Sequence, residues 1–583
     1  MKKGHTKIAL IGGGPAAMFM YKQIIAQSSP VHVTIFERSD RLGAGMPYSK
    51  CGAEAEHVTN VSANEIPELP QTPMEWWQGQ NADIAGNTNY SPYKVFPRRI
   101  FGDYLESQFH ILIRNGREKG ISTDICTGTT VSDINYLGRN VIVSVEGCKS
   151  HLFDKVVICT GHRFPIEQDE AATGVYQSPY PPQKLSLRFN HPVAIKGASL
   201  TAVDAIRTLA RANGEFSAKK NGNLVYKPNT NSPDFKIVLH CRSGMLPAVR
   251  FHLADPHLKN PSLLTEEQIG EHKRRNNGFL SLDYIFEKDF LEPLKISSPE
   301  IYDKVKDMNM EEFVHSVLEV RHHVDPFVML RSECNEAAKS IRRKESVYWK
   351  EMLGVLSFAM NYPAKYFSAE DMLRFKATLH PLISLVIAYI PQSSCRELLA
   401  LHKAGLLDLV NVGNESSIVQ RPGGGITYHY INEAGNDMAI NYSTFIDCTG
   451  QPHIDLRDFP FKGLANAGTV SQARLAFRSE EAALRYKADH PANVDMVAGT
   501  YYLKVSGVAV DDRFRIVDEE GQPNNAIYMM AVPLMGGYNP DYSGLDFCEE
   551  ASKRIAENLL NVKEHPVVHL SERPSLKPME SVA

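Results

Sequence analysis

An α/β chain of two parallel-sheet units, interrupted by a long helical insertion, is what this sequence predicts. Three observations predict it. The stretch Ile8–Glu37 reads strand, glycine turn, helix, strand and acidic residue, in that order. A degenerate copy of the pattern begins at Val193. Two later runs, Val156–Gly161 and Tyr442–Gly450, each close an apolar strand on Cys-Thr-Gly.

Ile8–Ile11 is a short apolar run ending at glycine, as a buried strand would. Gly12-Gly13-Gly14-Pro15-Ala16-Ala17 follows, and Gly12, Gly14 and Ala17 fit G-x-G-x-x-G/A. Gly12 permits the tight turn, Gly14 lets a pyrophosphate approach the backbone, and Ala17 lets helix pack on strand. The helix over Met18–Ala26 offers unpaired N–H groups and a partial positive charge to phosphates. Val31–Phe36 is a second strand, and Glu37 stands about 20 residues past the turn, where an acid accepts hydrogen bonds from ribose hydroxyls. The competing reading is a glycine-rich turn that binds nothing. Five elements in the right order count against it. The unit is a Rossmann-like dinucleotide-binding domain.

Residues 163–191 read as a Pro-, Gly- and Tyr-containing linker. The second unit opens at Val193 and carries Gly197, Ser199, Leu200 and Thr201 in a G-x-S-x-x-A turn, a helix over Val203–Leu209 and a strand over Phe235–Cys241. Arg242 ends that strand where Glu37 ended the first. Loss of the acid and gain of a guanidinium suits a 2′-phosphate, hence NADP, with NAD as the other possibility. A nucleotide fold that has lost its ligand is the competing reading, because Ser199 replaces the second glycine. Residues 251–405 are helical by periodicity and punctuated by prolines. They hold adjacent His322 and His323 but no H-x-x-x-H, so no metal site is expected.

The expected domains are 1–165 and 451–563 for the first unit, 190–250 and 406–450 for the second, 251–405 for the insertion, and a loose tail over 564–583. Further strands are expected at Ser122–Val131 and Val141–Val145 in a small meander, and over Val508–Val517.

After Glu37 the chain runs Arg38-Ser39-Asp40-Arg41-Leu42-Gly43-Ala44-Gly45-Met46-Pro47-Tyr48-Ser49. An acidic strand end followed by R-x-x-R-x-G-x-G resembles the two-dinucleotide-domain flavoproteins. The G-x-G-x-x-Y-S form is similar to bacterial FAD/NAD(P)-binding proteins related to flavin-dependent amine N-hydroxylating monooxygenases. The run Pro97-Arg98-Arg99-Ile100-Phe101-Gly102-Asp103-Tyr104-Leu105 resembles another segment of that family. The resemblance implies FAD in the first unit and NAD(P) in the second. It implies FAD contacts from Gly12, Gly14, Pro15, Ala16, Ala17, Glu37, Arg38, Gly45, Tyr48, Asn60, Val61, Val131, Thr160 and Gly161. Arg99 would meet a flavin phosphate or a substrate carboxylate, or else simply begin a solvated helix. Gly536 and Gly537 would offer backbone N–H groups to the flavin pyrimidine. Hydride would pass from nicotinamide to flavin, and reduced flavin with O₂ would oxygenate a small amine or similar nucleophile. No catalytic side chain is identified, as expected where the cofactor carries the chemistry. A reductase or dehydrogenase without oxygen insertion, and a flavin-bound interaction protein, are the alternatives.

Composition agrees with this class. Charged residues are 22% and the formal net charge is −4, with no basic block to recruit nucleic acid or an anionic membrane. The partner is therefore expected to be a small-molecule substrate. Nine cysteines without C-x-x-C suit reduced thiols in the cytoplasm and count against a disulfide-reductase mechanism. The sequence names neither the substrate nor the oligomeric state.

Overall fold

The computed structural model describes residues 5–560 except 28–29, 81–92, 94, 148, 163, 165–168, 221, 254–259, 261–262, 362, 452–453, 536 and 539–543. The 564–583 tail and Gly536 lie outside the described residues. The first sheet starts with β1 (Thr6–Ile11), which leads through the glycine turn into α1 (Pro15–Ala26) and β2 (Val31–Phe36). A long crossover containing α2 (Arg98–Glu118) leads to β3 (Ser122–Cys126), and β4 (Lys155–Ile158) returns beside β1. These four strands pair in parallel in the order 4-1-2-3. Ile8, Ala9 and Leu10 have no exposure, as expected of strands covered on both faces.

The second sheet repeats this plan. Its strands are β5 (Val175–Tyr176), β6 (Pro192–Lys196), β7 (Lys236–Cys241), β8 (Leu407–Asn411) and β9 (Thr444–Asp447), with α3 (Leu200–Asn213) after β6. The order is 5-9-6-7-8, all parallel, so 9-6-7-8 matches 4-1-2-3 strand for strand. The expected linker 163–191 thus supplies a short edge strand, β5.

The crossover that contains α2 in the first unit is, in the second, the helical insertion. Among its helices are α4 (Pro326–Arg343) and α5 (Gln392–Lys403), which pack on the second unit. Most of the other helices enclose an apolar core of their own, including Phe286, Phe290, Phe313, Leu353, Leu356 and Phe375.

The chain then returns to the first sheet through β10 (Arg515–Val517) and β11 (Pro523–Met529), with β11 parallel to β4 and β10 antiparallel to β11. α6 (Gly544–Leu559) packs on α1, and Glu549 takes Lys22 at 2.9 Å. Among the described residues no helix is long and apolar enough to cross a membrane.

Three expectations differ from the structure. Ser122–Cys126 joins the parallel sheet, because its partner is the outer edge of β2; the meander is Val131–Tyr136, Val141–Val145 and His151–Phe153. The Val508–Val517 run is broken, because Phe514 adopts φ +58° in the turn closed by Asp511, and its two ends lie in different sheets. Within 451–563, the three-stranded sheet of 472–476, 494–497 and 500–508 packs into the insertion core. It turns Ala473, Leu475, Leu503 and Val505 inward at every second position.

Asp289 lies in a single π-helical turn, Glu287–Leu291, and is fully buried in the insertion. Burial raises its carboxyl to about 8, reinforced by the nearby Glu292, and neither carboxyl oxygen has a hydrogen-bond partner among the described residues. An unfolded Asp titrates near about 3.9. Between those two values the folded state keeps a proton that the unfolded state has released. The contribution to stability therefore falls as pH rises through this window. Asp289→Asn is expected to remove that fall: melting temperatures of wild type and variant, compared at pH 5 and pH 8.5, should diverge at the higher pH in favour of the variant. Equal pH slopes would contradict the burial argument.

Candidate functional site

The glycine turn of the first unit is set by one backbone contact. Gly12 has φ +102°, and a Cβ there would lie 2.9 Å from the Cys159 carbonyl oxygen at the end of β4. The Gly12 N–H donates to Phe36 O at 2.8 Å and the Cys159 N–H to Ile11 O at 2.8 Å, which pins the turn between its two flanking strands. Pro15 opens α1 at its first position, and the Gly14 N-cap has no side-chain cap, so the first-turn N–H groups of Ala16 and Ala17 face no capping side chain. Gly14 also faces the second glycine loop, with Gly45 Cα 3.4 Å from where its Cβ would be. Backbone donors at a helix N-terminus, beside a loop without side chains, fit a dinucleotide pyrophosphate.

Glu37 is buried and held from two sides: the Gly13 N–H donates to its Oε2 and the Ser39 N–H to its Oε1, both at 2.7 Å. Each oxygen keeps a further lone pair for a ribose hydroxyl. Arg38 is exposed. Tyr48 lies edge-on against Phe101 at 4.9 Å. Thr160 and Gly161 follow β4, and the space where a Gly161 Cβ would sit is open. Val131 begins the meander, pairs with Val145 and stands two residues after Thr129, whose N–H donates to the Glu37 carbonyl at 2.9 Å.

The second unit repeats the first at this level of detail. Gly197 has φ +105°, its Cβ would lie 2.9 Å from Cys448 O, its N–H donates to His240 O at 2.9 Å, and Cys448 N–H donates to Lys196 O at 2.9 Å. Ser199 is an exposed N-cap whose side chain makes no cap bond, with Leu200 and Thr201 in the first turn of α3. This cradle also fits a dinucleotide.

The matching register corrects one sequence reading. Phe36 and His240 are equivalent, so the Glu37 position is filled by Cys241, and Arg242 matches Arg38. The acid is still lost, and Arg242 is exposed.

Further residues near the two cradles are placed as follows. Arg250, which follows β7, is buried against Glu65, with further bonds to Ser62 Oγ at 2.8 Å and to the Asn60 carbonyl. Asn60 and Val61 lie on the strand Val58–Ser62, and the Val61 carbonyl accepts from Thr59 Oγ1 at 2.7 Å. Gly537 donates its N–H to Ser506 O at 2.7 Å, and a Cβ there would strike Val505, so this N–H serves packing and not a flavin pyrimidine.

Of the arginine pair, Arg98 is the buried member. It forms an ion pair with Asp204 of α3 and donates to Val58 O at 3.0 Å, while Tyr180 hydroxyl donates to Asp204 Oδ2 at 2.7 Å. Burial pulls the Arg98 guanidinium down, and Asp204 and Tyr180 more than restore it. Arg99 is 43% exposed and only 3.6 Å from Glu54. His57, fully buried beside this network, contacts Asp204 O and Thr208 Oγ1, each at 3.2 Å. Its ring is pushed toward the neutral form by burial, against the pull of Asp204. The signal for this junction was Asp204 itself, a charge flanked by Ala202, Val203, Ala205 and Ile206 on a buried helix.

The two units also meet at their Cys-Thr-Gly loops. His162 stands three residues after Cys159, and Gln451 three after Cys448; His162 Nδ1 and Gln451 Oε1 are 3.0 Å apart. Residues equivalent by the internal repeat therefore touch across the junction.

Residues 9–163 match the family model described as FAD-NAD(P)-binding. The chain carries an FAD-NAD(P)-binding domain. A second family model, the YdhS-like middle domain, matches residues 265–387, within the helical insertion. The uncharacterized protein YdhS of Escherichia coli K12 is 26% identical over 472 residues, covering 79% of this chain and 85% of that protein. Among solved structures, the ornithine N-hydroxylase of Kutzneria sp. 744 is similar at TM-score 0.47 and 14% identity, covering 95% of this chain and 99% of that one. The bacillithiol disulfide reductase of Staphylococcus aureus is similar at TM-score 0.42 and 8% identity, covering 95% of this chain and 98% of that one. The FAD-NAD(P)-binding domain contains Gly12, Gly14, Ala17, Glu37, Arg98, Thr160 and Gly161.

Two outcomes follow from this geometry. Gly14→Val leaves backbone angles available but fills the space between the two glycine loops, so purified protein should fold and carry much less bound FAD, read from its visible absorbance. Arg98→Met strands Asp204 without its partner. Breaking a buried pair costs roughly 3–5 kcal/mol, so its melting temperature should fall far more than that of Arg99→Met. Equal shifts would mean that the Arg98 pair does not hold the units together.

Proposed function

We propose that this protein is an FAD-dependent oxidoreductase that takes reducing equivalents from NADPH and oxygenates a small amine or similar soft nucleophile. The observation that carries the reading is the pair of matched cradles with different chemistry at their strand ends. One presents Glu37, suited to a ribose diol. The other presents Cys241 in place of the acid, followed by the exposed Arg242, suited to a 2′-phosphate. The contact between His162 and Gln451 brings the two cradles' exit loops together, as transfer between two bound cofactors requires.

In this reading the Gly12–Ala17 turn holds the FAD pyrophosphate, and the Gly197–Thr201 turn holds that of NADPH. Bound FAD supplies the hydride acceptance and the oxygen chemistry. The oxygenation half of the reading rests on the likeness of Gly43–Ser49 and Pro97–Leu105 to amine N-hydroxylating enzymes. The helical insertion follows the carboxyl end of β7, the edge of an α/β sheet where ligands bind. In this reading the insertion contacts substrate and keeps water from it. The substrate is a small molecule, and the protein acts without nucleic acid or membrane.

The flavin absorbance of purified protein should bleach when NADPH is added without oxygen. With oxygen and a panel of small primary amines, one of them should yield an N-hydroxylated product in step with NADPH consumed. Bleaching with peroxide as the sole oxygen product across the panel would leave a reductase or oxidase and sink the oxygenation reading. No bleaching would sink the enzyme reading itself.

Arg242→Ala gives a separate test of the nicotinamide choice. Charge-assisted bonds contribute about 1.5–3 kcal/mol each, and roughly 1.4 kcal/mol is a factor of ten. The Michaelis constant for NADPH should rise about tenfold or more, while that for NADH stays nearly unchanged. Equal losses with both nucleotides would refute the phosphate contact.

A further inference from the structure

We propose that Cys334 of α4 and Cys395 of α5 form a redox couple, which a peroxide converts to a disulfide tying the two helices together. The pair is assembled only by folding, since 60 residues separate the two in sequence. α4 and α5 pack side by side on the second unit; Cys395 lies in that core cluster and Cys334 packs against it. Cys395 Sγ is 3.8 Å from the carbonyl of Leu330, one helical turn before Cys334 on the same face. The Cys395 thiol donates toward that carbonyl, which places its sulfur beside Cys334 across the helix contact. Phe327 of α4 stacks on His402 of α5 with ring centroids 3.7 Å apart, which fixes the register of the helices.

The two sulfurs differ in the way an attacking and a resolving thiol should. Cys334 is partly exposed, and Cys395 is fully buried. The neighbouring Cys395 thiol brings the Cys334 thiol down to about 7, against burial, with help from Arg396. Cys395 is held protonated by its neighbour Cys334 and by burial. Thiolate character, access and a resolving neighbour together mark a redox-sensitive cysteine. By contrast, Cys159, Cys448 and Cys548 are buried, and burial pushes their thiols up.

The chemistry balances. The Cys334 thiolate attacks one oxygen of a hydroperoxide, the O–O bond breaks, and the leaving alkoxide or hydroxide takes up a proton. Cys334 is now a sulfenic acid. The Cys395 sulfur attacks it, the S–S bond forms, the S–O bond breaks, and water leaves with the Cys395 proton. Two thiols lose two electrons, and the peroxide is reduced to alcohol or water.

The consequence reaches the nucleotide cradle. Two residues beyond Cys395, Glu397 takes the Arg207 guanidinium of α3 at 2.9 and 3.0 Å, and Arg211 at 2.9 and 3.0 Å. α3 is the helix that begins at Ser199. A disulfide would therefore join α4 covalently to the helix that anchors α3.

The test uses the full-length protein as purified. It is treated with equimolar hydrogen peroxide, free thiols are alkylated, and the digest is read by mass spectrometry. The expected result is a crosslinked species joining the Cys334 and Cys395 peptides, two hydrogens lighter than their sum and reversed by dithiothreitol. Before oxidation, Cys334 should alkylate faster at neutral pH than the exposed Cys51. In Cys395→Ser, the same treatment should leave Cys334 as a sulfenic acid that dimedone captures. Absence of the crosslink in wild-type protein, or its appearance between other cysteines instead, would overturn the proposal without any variant being needed.

Discussion

The contact between a left-handed glycine and the carbonyl at the end of the neighbouring strand governs both halves of this protein. At Gly12 and at Gly197 the missing side chain would lie 2.9 Å from the oxygen of a cysteine, Cys159 or Cys448. Any other residue would push the strands apart or change the turn. With glycine, β1 and β4, and likewise β6 and β9, stay in parallel register to their last residues. The helix that follows then starts with its first N–H groups facing outward from the sheet edge. The anion site is a by-product of that close approach.

Joining the halves uses charge in places where solvent is excluded. Arg98 with Asp204, Arg250 with Glu65, and Arg207 with Glu397 are buried ion pairs, each linking segments far apart in sequence. Such pairs contribute little net stability, since desolvation offsets the attraction, but they are costly to mispair. Arg98–Asp204 sets how α3 meets the Val58–Ser62 strand and the start of α2, Arg250–Glu65 ties the segment after β7 to the turn after that strand, and Arg207–Glu397 ties α3 to α5. An apolar junction of the same size would tolerate sliding; the two directional pairs that cross it do not.

The helical insertion occupies the crossover between β7 and β8, where the first unit has α2 between β2 and β3. Parallel strands need a crossover, but its length is free as long as both ends return to the sheet edge. The insertion satisfies this with a core of its own, completed by the sheet over 472–508. That sheet comes from the far end of the chain, so insertion and first unit are sewn together.

The order of elements in each unit, the two glycine turns and the ends of β4 and β9 were determined by the sequence alone. Each depends on local chemistry: apolar runs make buried strands, glycine allows a positive φ, and Cys-Thr-Gly ends a strand. Glu37 was legible for the same reason, being a fixed distance from its turn. Tertiary structure decided what depends on register and on distant partners. It put Cys241 and not Arg242 opposite Glu37, because equivalence is set by strand pairing and not by counting from the last apolar residue. It turned Arg98 inward and left Arg99 exposed, because the partner, Asp204, sits on a helix more than 100 residues away. It took the Gly537 N–H for Ser506, and it brought Cys334 to Cys395. A side chain's partner across a domain junction is fixed only when the whole chain has packed, and no local pattern encodes it.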